Sequence, residues 1–195
     1  MSYGSHLSAS TLPPGAGELS LNADALVVDR GLGAQALPNP ELGYRRGLGR
    51  NLDAGGRLNV GSTEANLRWR FARGRADWTL VPALGFGFVP VTNRDTGLFN
   101  AHALTTLLGG VPLSQRSQLV LGARGALTYA FPLTAFRGRS GGDTLYWLVG
   151  GVAGYRFPLG ERWFAFPELN VLYPYDGARA EWLYPTLQGG IAFQL

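Results

Sequence analysis

The sequence predicts an all-β chain whose ten antiparallel strands follow one another in up-and-down order and close into a barrel. Three observations predict it. Apolar and polar residues alternate with period two along most of the chain, which is the side-chain period of a strand. Gly 29 and Pro 12 stand against a charged fraction of only 15%, a composition for many strands and turns rather than helices. Long loops at 29–40, 132–144 and 174–182 alternate with short turns at 49–52, 73–75 and 159–161, as a barrel with one short-turn rim and one long-loop rim requires. With 195 residues the chain suits a single domain.

Met1 to Gly17, Ser-rich and ending near Pro13-Pro14-Gly15, reads as a flexible N-terminal tail, with the barrel over 18–195. Met1 to Ser10 is polar and does not read as a signal peptide; a secreted protein would then be the mature form with an initiator Met added. The first strand, Glu18 to Val28, places Leu19, Leu21, Ala23, Ala25 and Val27 on one face, with Asp24 on the other. Asp29 to Pro40 reads as a loop, and Glu41 to Val60 as strand, turn and strand. After Val60 the apolar phase flips, so a tight turn at Gly61-Ser62 must precede the next strand. That strand carries Ala65, Leu67, Trp69 and Phe71 on one face and Glu64, Asn66, Arg68 and Arg70 on the other. Trp78, Leu80, Leu84, Phe86 and Phe88 line the strand after it, where Pro82 and Pro90 would each remove a ladder bond.

Leu98 to Gly110 is a strand whose parity leaves its facing open. Leu119, Leu121, Ala123, Leu127, Tyr129 and Phe131 oppose Gln118, Arg124 and Thr128 on the next. Leu145, Trp147, Val149, Ala153, Tyr155 and Phe157 form another apolar face, and Trp163, Ala165, Leu169, Val171 and Tyr173 a further one with Glu168 and Asn170 behind. Leu183 to Leu195 closes the tally. An eight-stranded alternative, in which residues 30–56 protrude as a hairpin in a long first loop, keeps the same parity.

The choice between membrane and water rests on which face is oily. The large aromatics Trp69, Trp78, Trp147, Tyr155, Phe157 and Trp163 lie on the apolar face near strand ends, as an aromatic girdle at two bilayer interfaces would. The opposite face would hold Asp24, Glu64, Arg68, Arg124 and Glu168. In a soluble barrel the large residues would fill the inside and charges coat the outside. The pattern therefore predicts a transmembrane β-barrel with a mixed-charge lumen network. Unpaired charges in so narrow an interior would be expensive, so opposite signs should meet and close the lumen to ions.

Two segments strengthen this. The closing strand, with Leu187, Ile191, Phe193 and Leu195 alternating to the last residue, resembles the C-terminal strand of bacterial outer-membrane barrels. Residues Tyr44 to Gly55, with Tyr44 and Gly47 leading into a turn and Leu52-Asp53-Ala54-Gly55 leading out, resemble a unit of small, uncharacterised outer-membrane barrels. The resemblance implies a bacterial outer-membrane location, recognition of the closing strand by the barrel-assembly machinery, and contact with membrane lipid, lipopolysaccharide included. A monomer is expected.

Function classes thin out quickly. All 17 basic residues are Arg and are scattered singly or at turns, without a nucleic-acid signature. No Cys is present, and neither a metal-ligand spacing nor a cofactor loop stands out. No catalytic motif is evident either. His6 falls in the tail, and His102 is the one histidine on a strand, where a hydrogen-bonded wall residue is the ordinary role. The expected function is a structural or interaction role in the membrane. A narrow pore for small solutes is the alternative, and a lipid-modifying barrel enzyme built on His102 comes third.

Overall fold

The computed structural model describes residues 8–29, 34–91, 96–134, 144–175 and 184–195. All of their regular structure is strand: β1 (Gly17–Asp29), β2 (Ala34–Gly49), β3 (Leu52–Asn59), β4 (Ser62–Ala72), β5 (Asp77–Val91), β6 (Thr96–Pro112), β7 (Gln118–Thr134), β8 (Thr144–Pro158), β9 (Trp163–Ala165), β10 (Glu168–Tyr175) and β11 (Tyr184–Gln194). β1 to β8 each pair antiparallel with the next, β9 and β10 each pair with both β8 and β11, and β11 returns to β1 through nine paired residues from Glu18–Gln194 to Leu26–Thr186. The sheet is closed.

β9 and β10 are two pieces of one wall strand, for both lie between β8 and β11. Between them Phe166 N–H donates to the Gly190 carbonyl and the Pro167 carbonyl accepts from Tyr155 N–H. Pro167 has no N–H of its own, which interrupts the ladder without turning the chain. The barrel thus has ten walls, and the eight-stranded alternative falls, because β2 and β3 pair with β1 and β4 on their outer edges.

Two readings of the loops need correction. The expected loop at 29–40 overshoots, since Ala34 to Pro40 belong to β2, with Pro38 opposite Ala25 and Pro40 opposite Ala23. A proline has the extended backbone of a strand and forfeits only its own donor, so Pro38 and Pro40 misled as breakers. Pro82 likewise stays inside β5; there the β4–β5 ladder omits Leu67 and Arg68 between the Asn66–Ala83 and Trp69–Leu80 pairs. Strands also extend past the expected edges of the loops at 132–144 and 174–182, to Thr134 and Tyr175.

Side chains sort by parity through the wall. Leu19, Leu21, Leu42, Leu67, Leu84, Phe86, Leu121, Val149, Leu169 and Ile191 are exposed on the outside. Inside, Val81, Leu108, Val120 and Val152 pack in one buried cluster and Ala83, Leu104, Ala126, Leu148 and Leu172 in another. β6, whose facing the sequence left open, turns Asn100, His102, Leu104, Thr106 and Leu108 inward and Ala101, Ala103 and Leu107 outward.

Residues 8–16 depart from the expected tail. Ser8, Ala9 and Leu12 are buried inside the barrel mouth, and Ala9 completes the cluster of Val81, Leu108, Val120 and Val152. Pro13 to Ala16 forms a turn in which Ala16 N–H donates to the Pro13 carbonyl at 3.1 Å and Gly15 takes φ 82°. That is a type II turn, with Pro ahead of a residue that needs positive φ. It sends the chain from the lumen onto the wall, and Gly15 and Ala16 pair with Gly47 as they leave.

Candidate functional site: the lumen

Five of the six buried arginines among the described residues, Arg45, Arg57, Arg68, Arg124 and Arg156, meet five buried carboxylates on the inward face, Glu18, Glu41, Asp53, Glu64 and Glu168, while the sixth, Arg70, pairs with Asp77 at 3.4 Å. They form three groups. At the short-turn end, Glu18 accepts from Arg45 Nε at 2.8 Å and from Arg156 Nη2 at 2.5 Å. Arg45 continues to Asp53 at 3.4 Å, and Arg68 approaches Asp53 from the other side at 3.9 Å. Arg156 also lies over the Phe164 ring, 4.1 Å from its centroid.

The second group is built on one cross-strand row, with Glu41 and Asn22 reaching it from the adjacent row. Arg57, Glu64, Gly85, His102 and Thr128 are successive partners on β3 to β7. Arg57 Nη2 meets Glu64 at 2.5 Å and its Nη1 meets Glu41 at 3.4 Å, while Asn22 donates to Glu41 at 2.9 Å. His102 Nε2 reaches Glu64 at 3.5 Å. It does so across Gly85, where any Cβ would sit within 2.7 Å of the imidazole Cε1, so the missing side chain on β5 permits the contact. In the third group Arg124 donates to Thr106 at 3.0 Å and to Asn170 at 2.9 Å and stands 3.9 Å from Glu168. Asn170 in turn donates to Glu168 at 2.7 Å.

The N-terminal segment is threaded into the first group by its backbone. Arg68 donates to the Ser8 carbonyl at 2.7 Å and Thr79 to that of Ala9. Gln118 accepts from Ala9 N–H at 3.0 Å and Asp53 from Leu12 N–H at 3.1 Å. Ser10 Oγ donates to Asp77 at 2.9 Å. Gly47 and Gly110 make room, because a Cβ on the first would strike the Pro13 carbonyl and one on the second the Ala9 side chain. Between the segment, Arg156, Phe164 and the β6–β7 turn a recess of about 270 Å³ remains at the mouth, whereas the space among Glu18, Ser20, Arg45 and Arg68 amounts to about 10 Å³. No group of three His, Asp or Glu suited to a metal ion occurs among the described residues.

Lipid is the solvent that this arrangement suits: buried ion pairs inside, and outside a belt in which Leu21, Leu67, Leu84, Leu121 and Leu169 are each at least 46% exposed. Solved structures show the same fold. The translocator domain of the autotransporter NalP from Neisseria meningitidis aligns with a TM-score of 0.52 at 14% identity, over 94% of this chain and 88% of that one. Ail, the attachment invasion locus protein of Yersinia pestis, solved with the heparin analogue sucrose octasulfate, aligns at 0.50 and 12% identity over 93% and 99%. The chain has the fold of the small bacterial outer-membrane β-barrels. Neisserial surface protein A, at 14% identity over 92% and 98% of the two chains, gives a TM-score of 0.46. No protein-family model and no curated protein matches the chain.

In this barrel the residues singled out from sequence fall as follows. Glu64, Arg68, Arg124 and Glu168 all point inward, but in three groups rather than one, with Arg124 and Glu168 alone sharing a group. Asp24 is on β1 opposite Gln188, and its side chain lies outside the described residues, as does all of His6. Trp69, Trp78, Trp147 and Trp163 are exposed on the outer face, and Tyr155 and Phe157 stack at 5.3 Å and are half-buried. Glu18, Glu41, Arg45, Asp53, Arg57 and Arg156 were not singled out, although parity from Leu19, Leu42 and Leu58 places the first five inward. The lumen role of residues 8–12 had no such signal, because an irregular segment has no period.

Proposed function

We propose that this barrel serves a structural or interaction role in the outer membrane and that its lumen is closed to ions. The observation that carries the reading is the filling of the short-turn mouth: Ala9 is 0% exposed between the walls, and the segment's backbone is held by Arg68, Thr79, Gln118 and Asp53. Paired charges above it leave no single-sign row for an ion to follow. The rim opposite the short turns is then the surface through which the protein meets lipopolysaccharide or a partner. His102 supports a wall role rather than catalysis, being buried and set against Glu64.

Planar-bilayer recording of the refolded protein tests this, with no resolved conductance steps expected. A large stable conductance would sink the closed lumen and put the narrow pore for small solutes in its place. A lipid hydrolase or acyltransferase activity abolished by His102→Ala would restore the enzyme reading.

A further inference from the structure

The short-turn rim is unevenly charged. The β2–β3 turn at Arg50-Asn51 and the β4–β5 turn at Arg73–Ala76 are joined, since Arg70 and Arg73 both donate to the Arg50 carbonyl at 3.0 Å and Arg70 N–H donates to the Asn51 carbonyl at 2.9 Å. Arg46, Arg50, Arg73 and Arg75 are exposed there. Three acidic residues occur between Arg46 and Trp78, and none neutralises them: Asp53 and Glu64 are buried in the lumen, and Asp77 is held by Arg70 at 3.4 Å and by Ser10. The opposite side of the same rim differs, for exposed Arg116 and Arg162 stand there with exposed Glu161.

What surrounds the four arginines decides their partner. Arg46 lies on the outward face of β2 between Tyr44 and Leu48, which are 45% and 57% exposed, so its neighbour is the bilayer rather than the aqueous space. Trp69, Phe71 and Trp78 are exposed beside the second turn at the level where aromatic rings mark the interface. A guanidinium just past an interfacial ring sits among headgroups, with its stem along the apolar surface. From this we infer that the joined β2–β3 and β4–β5 turns form a binding site for the phosphate headgroup of an anionic phospholipid in the leaflet at the short-turn rim. Four exposed arginines with no carboxylate at ion-pair distance among the described residues favour a lipid with net negative charge over a zwitterionic one, whose ammonium group the same charges repel.

Tryptophan fluorescence tests the site. In a Trp147→Phe, Trp163→Phe, Trp182→Phe background, Trp69 and Trp78 are the reporters, and the protein is refolded into phosphatidylcholine vesicles containing either brominated phosphatidylglycerol or brominated phosphatidylcholine. The expected result is stronger quenching by the anionic lipid at equal mole fraction, equivalent to at least about a threefold preference. The preference should fall towards one in the Arg46→Gln, Arg50→Gln, Arg73→Gln, Arg75→Gln variant, return with Lys at the four positions, and persist in an Arg116→Gln, Arg162→Gln variant. Equal quenching by the two lipids, or a preference that survives the fourfold Gln change, overturns the site. Retention of the Gln variant's strand circular dichroism and heat-modified gel mobility shows that a lost preference is not a lost fold. If the variant fails these checks, the Lys variant and the doubling of ionic strength decide: a preference unmoved by salt overturns the site, and one that weakens with salt supports it.

Discussion

The wall made by β1 to β4 and the wall made by β5 to β8 face one lumen, yet their inward side chains differ in kind. The first carries Glu18, Glu41, Arg45, Asp53, Arg57, Glu64 and Arg68, whereas the second carries Val81, Ala83, Leu104, Leu108, Val120, Ala126, Leu148 and Val152, with Arg124 and Arg156 among them. Long charged side chains fill their half by reaching one another, and the apolar half is filled by interdigitation and by Ala9 of the N-terminal segment. A barrel interior therefore needs no uniform polarity, provided that every charge has a partner and every void a side chain. The segment lies where the two chemistries meet, offering backbone groups to Arg68 and Asp53 on one side and a methyl group to the cluster of Val81, Leu108, Val120 and Val152 on the other.

The sharpest way to break the charged wall is Arg57→Ala. This guanidinium holds both Glu64 and Glu41, so its loss leaves two buried carboxylates without their shared cation. We expect a loss of about 3 to 5 kcal/mol in denaturant unfolding from detergent or lipid. A change under about 1 kcal/mol would mean that water screens this wall and that the lumen is open there.

A somewhat smaller effect separates the inside of the apolar wall from its outside. Val149 and Trp147 are both exposed on the outer face of β8, with Val149 opposite Gly125 in mid-strand and Trp147 two residues nearer the strand end. Val149→Arg should cost about 2 to 4 kcal/mol and Trp147→Arg about 0 to 1 kcal/mol, because the bilayer penalises a charge by depth. Equal costs, or folding in plain buffer without detergent, would count against lipid as the outer solvent. Inside the same wall, Leu108→Ala removes a fully buried side chain from the cluster that also holds Ala9 and Val120. The expected loss is about 2 to 3 kcal/mol, low in the range for such a change because the N-terminal segment can settle into the gap.

How much of this was legible depends on whether a residue sits in a periodic stretch. Period two gave the ten walls and turned Glu64, Arg68, Arg124 and Glu168 inward, since a strand cannot change face without a bulge. It also contained Arg57 and Glu41, but a pattern says which face a charge is on, not which partner on the neighbouring strands it reaches. The β6 facing was ambiguous for a physical reason: Leu104 and Leu108 are inward, Leu107 is outward, and an apolar lumen wall blurs the contrast that parity relies on. Pro13-Pro14-Gly15 looked like linker chemistry. The same residues make the type II turn that places Ala9 in the lumen, and nothing local distinguishes a turn leading into solvent from one leading into a barrel.

The finest test addresses the line where the two walls and the segment meet. Thr79 is fully buried on β5 and donates to the Ala9 carbonyl, so Thr79→Val keeps the side-chain shape and removes one hydrogen bond between wall and segment. In the full-length protein it should cost about 1 kcal/mol, the usual net worth of such a bond plus the orphaned carbonyl. Deleting residues 1–12 removes the acceptor, and in that background the valine should cost nothing or stabilise slightly, since it buries a methyl in place of a hydroxyl without a partner. The difference between the two backgrounds is the coupling between segment and wall, measured without assuming what either contributes alone. A cost that is the same in both backgrounds would place the segment outside the lumen in solution, and with it the filled mouth on which the closed-barrel reading rests.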